Sequence, residues 1–275
     1  MTDIMDDSDR YIDANRMAWN EAEPHHRRHP QYARLLESFA APGYSCLDAT
    51  LTGALADLGV RGKSVAQICC NNGRELLSVG NMGAARCVGF DQSAGFLAQG
   101  RELARAAGID ARFVETDVHD IPREFDGVFD IALITIGVFG WMPDLRRFLE
   151  TPARLLRPGG HLVIYEEHPI LNMVGDEETD KEDRSVPAPL RHSYFRTEPF
   201  EDKTGLDYWS GQPYDAPPHY WFPHTLGAVV TGVLDQDLRL RRLEEFAHDI
   251  SEKIWLAHRA AQLPLSYLLV AEKEG

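Results

Sequence analysis

From residue 63 onward, short apolar runs alternate with longer segments whose apolar positions recur every three or four residues. The runs predict strands at 65–69, 86–90, 111–114, 129–135 and 161–167, and the longer segments predict helices at 73–80, 93–107 and 144–156. Strands separated by helices of this length imply right-handed βαβ units and a parallel sheet. Three amphipathic segments come first: 9–22 with Tyr11, Ile12, Met17, Ala18 and Trp19, then 31–39, then 47–58 before Gly59. They precede the first strand, so they are expected outside the sheet, capping its carboxyl edge. The alternation breaks after residue 168. Residues 173–189 are acidic and proline-bearing and read as a mobile loop. Nine aromatic residues then crowd between 194 and 222, an insertion too apolar to be disordered and so expected to be a lid. A helix at 225–234 and strands at 238–246 and 266–272 follow, the two strands as an antiparallel pair.

The expected fold is α/β: a Rossmann-like, doubly wound sheet of seven strands, mostly parallel with an antiparallel last strand. The expected parts are a helical cap (1–45), a nucleoside-binding core (46–168), the lid insertion (169–223) and the C-terminal part of the core (224–275).

The most informative segment joins the first strand to its helix: Val65-Ala66-Gln67-Ile68-Cys69-Cys70-Asn71-Asn72-Gly73-Arg74-Glu75. A second strand then ends in Asp91. A turn at the carboxyl end of a parallel strand is free of ladder bonds, and the next helix points its N-terminus at whatever lies there. A carboxylate at the second strand's tip is placed to hold two ribose hydroxyls. A dinucleotide site needs G-x-G-x-x-G, and this turn has only Gly73, with Asn71 or Asn72 expected in the left-handed region. A nucleoside without a pyrophosphate fits better.

Composition refines this. The chain has 275 residues, 44% of them hydrophobic, and a formal net charge of −15. That surplus disfavours nucleic-acid partners. No apolar run approaches the roughly 20 residues needed to span a bilayer, and the first ten residues do not resemble a secretory signal. A cytoplasmic location follows, with Cys46, Cys69, Cys70 and Cys87 as reduced thiols and no metal site. His25, His26 and His29, interleaved with Arg27 and Arg28, read as a solvated face.

In order along the chain, these segments resemble the class I S-adenosylmethionine-dependent methyltransferases, of the bacterial small-molecule and natural-product type. Val65–Gly73 corresponds to the family's first motif, Asp91 to its ribose-binding acid, and Glu115-Thr116-Asp117-Val118 to the segment that reads the adenine amino group. Phe129–Thr135 with Ile136-Gly137 resembles the fourth strand, whose tip meets the methionine part. Arg154-Leu155-Leu156-Arg157-Pro158-Gly159-Gly160 resembles the late motif. The departures are Gln67, where the family has a carboxylate, and Cys69 and Asn71, where it has glycines.

The resemblance implies S-adenosyl-L-methionine as cofactor, with Gln67, Cys69, Asn71, Gly73, Arg74, Asp91, Gln92, Asp117, Val118 and Thr135 around it and Trp19 closing over it. The expected activity is methyl transfer to a small aromatic or hydrophobic metabolite at O, N or C. The expected acceptor wall is Trp141, Tyr194, Tyr208, Tyr220 and Trp221. His168 and His224 are the candidate bases, since a neutral imidazole at the substrate side accepts a proton. The N-terminal arm, hinged at residues 40–43, is expected to dock on its own chain or on a neighbour's in a homo-oligomer. A nicotinamide-dependent oxidoreductase and a non-catalytic binding subunit remain as alternatives.

Overall fold

The computed structural model describes residues 2–174, 190–251 and 262–275. The loop expected at 173–189 therefore lies almost wholly outside the described residues.

Seven strands form one sheet: β1 (Ser64–Ile68), β2 (Arg86–Asp91), β3 (Ala111–Glu115), β4 (Phe129–Thr135), β5 (Leu156–Glu167), β8 (Leu238–Phe246) and β9 (Ser266–Lys273). Their spatial order is β3-β2-β1-β4-β5-β9-β8. All neighbours among the first five pair in parallel, and β9 runs antiparallel to both β5 and β8. The strand order reverses between β1 and β4. Such a switch point opens a crevice at the carboxyl ends of a doubly wound sheet.

Strand alternation divides the core in two. Ala66, Ile68, Ala132, Ile134, Leu162 and Ile164 face α6 (Leu145–Leu155) and α7 (Leu226–Leu234). Val65, Ile131, Leu133, Val163 and Tyr165 face the other layer: α2 (Pro30–Ala40), α3 (Ala49–Asp57), α4 (Arg74–Asn81) and α5 (Ala94–Ala107). Both faces are covered, which is why the central strands read as continuous apolar runs. β3 and β8 are the sheet's edges, and on β8 the outward Arg239, Arg241 and Glu245 discourage edge-to-edge pairing.

The first helix is longer than its apolar stripe predicts: α1 spans Thr2–Arg28 and carries Pro24 internally. It packs on its own chain, against α5 and against the small antiparallel hairpin of β6 (Phe200–Asp202) and β7 (His219–Trp221), which lies within the aromatic insertion. Among the described residues, no helix is long and apolar enough to cross a membrane.

Candidate functional site

Between β1 and α4 the chain turns in five residues. The backbone is left-handed at Cys69 (φ 53°), Asn71 (φ 51°) and Gly73 (φ 66°), every second position. The sequence singles out Asn71 or Asn72 for such a conformation; the structure selects Asn71 and adds Cys69. A left-handed non-glycine residue costs roughly 1–2 kcal/mol, so the turn must be held. Asn71 N–H donates to Asp91 Oδ2 at 2.7 Å, Asn72 N–H to Asn71 Oδ1 at 2.8 Å, and Cys70 N–H to the Phe90 carbonyl at 3.0 Å. At Gly73 a Cβ would lie 2.4 Å from the Phe113 ring, so this position admits only glycine on two grounds. Gly73 lies against Phe113 just behind the loop surface. All four cysteines are free thiols, and burial raises the pKa of each.

Gln67 explains how the loop does without the usual carboxylate. It is fully buried on the α4 side of β1. Its Oε1 accepts from Leu76 N–H at 3.1 Å, and its Nε2 donates to Thr135 Oγ1 at 2.9 Å. Leu76 is the third residue of a helix whose N-cap, Gly73, has no side chain to offer. Gln67 therefore caps α4 from the neighbouring strand, satisfying one orphan donor, and ties β1 to the tip of β4.

Asp91 closes β2. Besides Asn71 it takes Ser93 N–H at 2.9 Å on Oδ1. Burial raises its pKa, and the backbone donors from Ser93, Asn71 and Gln92 only partly offset this. Asp117, past β3, also resists burial, but the His119 ring and backbone donors bring its pKa below the usual carboxylate value. Both donors fall on Oδ1, at 2.7 and 2.8 Å.

Glu166 is a buried carboxylate that sequence reading passed over. At the tip of β5 it accepts Gly137 N–H and Val138 N–H, both at 2.6 Å, fixing the loop beyond β4. Burial pushes its pKa up to about 7 despite these donors. The clue was an acid at an inward-facing position of an otherwise apolar strand.

These loops open into one cavity of about 1430 Å³ at the switch point. It is lined by Gln67, Cys69, Asn71, Arg74, Asp91, Gln92, Asp117, Val118 and Thr135, so the expected cofactor residues other than Gly73 border one space, and Arg74 is paired with Glu75 at 2.7 Å. Trp19, Trp141, Tyr208 and Trp221 line it as well. Their rings meet edge to face: Trp19 with Trp141 at 5.3 Å, Trp141 with Trp221 at 5.3 Å, and Trp19 with Tyr208 at 6.4 Å. Trp221 rests on Gly140, where a Cβ would come within 2.1 Å of the indole. Asn15, buried in α1 one turn before Trp19, accepts Tyr220 N–H at 2.7 Å and donates to the Tyr220 carbonyl at 3.0 Å. It holds α1 to the hairpin; its spacing of four from Tyr11 and Trp19 was the available signal.

Several expected residues lie elsewhere. His168 and His224 are outside the large cavity. His168 Nδ1 caps the turn Pro169–Met173 through Ile170 N–H at 3.1 Å, and its Nε2 is 2.8 Å from Glu245. His224 Nε2 donates to the Met142 carbonyl at 2.8 Å. Burial lowers both pKa values, and both rings have structural partners. Tyr194 is engaged through its hydroxyl, which accepts Leu226 N–H at 2.9 Å, and Tyr220 packs on Tyr11 at 4.7 Å; neither lines the cavity. The solvated histidine face is also corrected. His26 is fully buried, donates to the Leu206 carbonyl at 2.8 Å and packs against Phe96, Tyr208 and Trp209, because α1 is covered by the insertion. His25 stacks on Tyr214 at 4.1 Å, and His29 caps α2. Among the described residues, no cluster of three or more His, Cys, Asp or Glu side chains is placed to hold a metal ion.

Comparison with known proteins agrees with this geometry. Residues 65–160 match the family model described as a methyltransferase domain. A demethylmenaquinone methyltransferase of Thermus thermophilus is 39% identical over 85 residues, 31% of this chain and 38% of that protein. A ubiquinone biosynthesis O-methyltransferase of Cronobacter sakazakii is 29% identical over 104 residues, 38% of this chain and 42% of that protein. The chain thus spans about two fifths of the length of these curated relatives. Among solved structures, an S-adenosylmethionine-dependent methyltransferase from Mesorhizobium loti superposes with a TM-score of 0.57 at 23% identity, covering 82% of this chain and 98% of that one. Residues 65–160 thus match a methyltransferase domain, and the sheet order belongs to a fold shared with solved S-adenosylmethionine-dependent methyltransferases.

Proposed function

We propose that the protein transfers the methyl group of S-adenosylmethionine to a small, apolar or aromatic metabolite. One observation carries the reading. The alternating left-handed turn at 69–73, the carboxylates Asp91 and Asp117, and the aromatic wall of Trp19, Trp141 and Trp221 all border the same cavity.

The donor set fits the cofactor. Asp91 and Asp117, at the tips of neighbouring strands, suit ribose hydroxyls and an exocyclic amine, and a tight phosphate cradle is lacking. Electron-rich rings suit a sulfonium. When bound, S-adenosylmethionine supplies an electrophilic methyl carbon. The chain's own share is alignment and exclusion of water: the Gln67–Thr135 and Glu166–Gly137 bonds hold the loops, and α1 with the β6–β7 hairpin roofs the cavity.

Calorimetry tests this directly. S-adenosylhomocysteine should bind with one-to-one stoichiometry and NAD should not. Binding of NAD alone would return the nicotinamide alternative, and homocysteine-product binding without turnover of any acceptor would favour a non-catalytic subunit.

A further inference from the structure

The loop between β4 and α6, residues 136–142, is where the sheet meets the roof. Its Ile136, Gly137, Val138, Trp141 and Met142 line the large cavity. From α1 and the segment after β7, three successive carbonyls are taken up: Phe222 N–H donates to Gly140 at 2.6 Å, Asn15 Nδ2 to Trp141 at 3.4 Å and His224 Nε2 to Met142 at 2.8 Å. From the sheet, one side chain takes two successive amides: Glu166 Oε2 accepts Gly137 N–H and Oε1 accepts Val138 N–H. An ionised carboxylate accepts on both oxygens; once protonated, one oxygen becomes a donor facing an N–H. Glu166 is buried behind this wall and is not itself part of the cavity lining. The groups facing it are Glu167 on its own strand, Tyr267 opposite it on β9 with Tyr194 beyond, and Cys69 just past β1. His168 and His224 complete the set, around a small cavity of about 30 Å³ that Glu166 also lines. Burial lowers the pKa of both histidines and raises those of Cys69 and Tyr267, so none of these groups brings a positive charge at neutral pH.

We propose that Glu166 is a positioning residue for methyl transfer: as an anion it fixes the 137–141 wall between cofactor crevice and roof, and a proton taken up there loosens the wall and weakens the ligand packed on it. The inference rests on the methyl-transfer reading above for the identity of that ligand. Burial pushes the carboxyl up to about 7, so the change of state falls in the neutral range. The folded value lies above the ordinary 4.5, so this group's contribution to folding is complete below pH 4.5 and is lost as pH rises through about 7. Order in the wall runs the other way, because the two N–H bonds favour the anion. A carboxylate that served the fold alone would move stability and wall order together. A charge held at a cost to the fold, and bonded to the amides of a cavity wall, fits a role in the site.

Calorimetry with S-adenosylhomocysteine reads the coupling without turnover. When only the ionised form presents an ordered wall, the competent fraction is about one tenth at pH 6 and about nine tenths at pH 8, so the wild-type dissociation constant should fall about tenfold between them. Glu166→Gln keeps one acceptor and sets an amide N–H₂ against the other backbone N–H. It should bind about tenfold more weakly than wild type at pH 8, with a constant that changes less than about twofold down to pH 6. Hydrogen exchange reads the wall itself in the wild-type protein. Corrected for intrinsic rates, the amides of 136–142 should open more readily at pH 6 than at pH 8, and equally readily at both in Glu166→Gln, while β1 and β5 stay protected. In urea unfolding the variant should lack a decline in stability between pH 4.5 and about 7. A wild-type constant equal at pH 6 and pH 8, the same pH dependence retained in Glu166→Gln, or wall exchange unaltered by pH would each overturn the inference. Failure of S-adenosylhomocysteine to bind at either pH would overturn the methyl-transfer reading, and wall exchange would still decide the role of Glu166.

Discussion

Replacing Gln67 by leucine tests whether one amide replaces the carboxylate usual at this position of the family. The substitution keeps the volume and removes both bonds of the side chain. Leu76 N–H, buried at the third position of α4, is left without an acceptor. An orphaned buried donor costs about 1–3 kcal/mol. Thr135 loses a donor, but its hydroxyl can turn to another acceptor, so its share is smaller. Thr135→Val leaves the Gln67 amide N–H unpaired instead and should cost about 1–2 kcal/mol. The two changes share one hydrogen bond. The double variant should therefore be less destabilised than the sum of the singles, by about 1 kcal/mol. Gln67→Glu should be milder than Gln67→Leu, because Oε1 still accepts Leu76 N–H and the threonine hydroxyl reverses to donate. Urea unfolding at neutral pH measures all four. In thermal scans each kcal/mol should appear as about 2–4 °C. A Gln67→Leu variant within about 0.5 kcal/mol of wild type, or strict additivity with Thr135→Val, would refute this account of how the loop is held.

Asp117→Asn keeps the acceptor Oδ1 for His119, so the fold should persist while S-adenosylhomocysteine affinity falls by about 1.5–3 kcal/mol by calorimetry, the range for a hydrogen bond to a charged group. An unchanged dissociation constant would remove Asp117 from the nucleoside site. Gly140→Ala forces the Trp221 indole away and should destabilise by about 1–3 kcal/mol; turnover should suffer more than product-cofactor affinity, and equal losses would place Trp221 over the cofactor instead. His26 is buried and its folded pKa lies below 6.5. Its stabilising contribution is thus complete above pH 6.5 and lost as pH falls through the folded value. His26→Gln, still able to donate to Leu206, should flatten the decline in unfolding free energy below pH 6.5, and an unaltered slope would contradict the burial.

Much of the site was legible in the chain because it is local. A parallel strand, a five-residue turn and a helix start are contiguous in sequence, and Asp91 and Asp117 stand at the ends of strands whose spacing is set by the βα repeat. Period-two and period-3.6 patterns located the seven sheet strands, and a glycine deficit in the first turn separated a nucleoside from a dinucleotide.

Residues whose partners are distant were not legible. Gln67 reads as a departure from a motif until Thr135, 68 positions away, and the Leu76 amide are seen beside it. His26 belongs to a charged, polar stretch and is buried only because a segment 180 residues later covers it. His168 occupies a promising strand end, and its commitment to Ile170 and Glu245 follows from the antiparallel β8–β9 pair folding back at the sheet's far side. The sequence by itself determined the fold class and the positions of the turn after β1 and of the carboxylates at the strand tips, since these depend on periodicity and short-range geometry. Tertiary structure alone decided which histidines are spent in packing and which line the cavity, because hydrogen bonding and burial are set by whichever segments meet across the sheet edge.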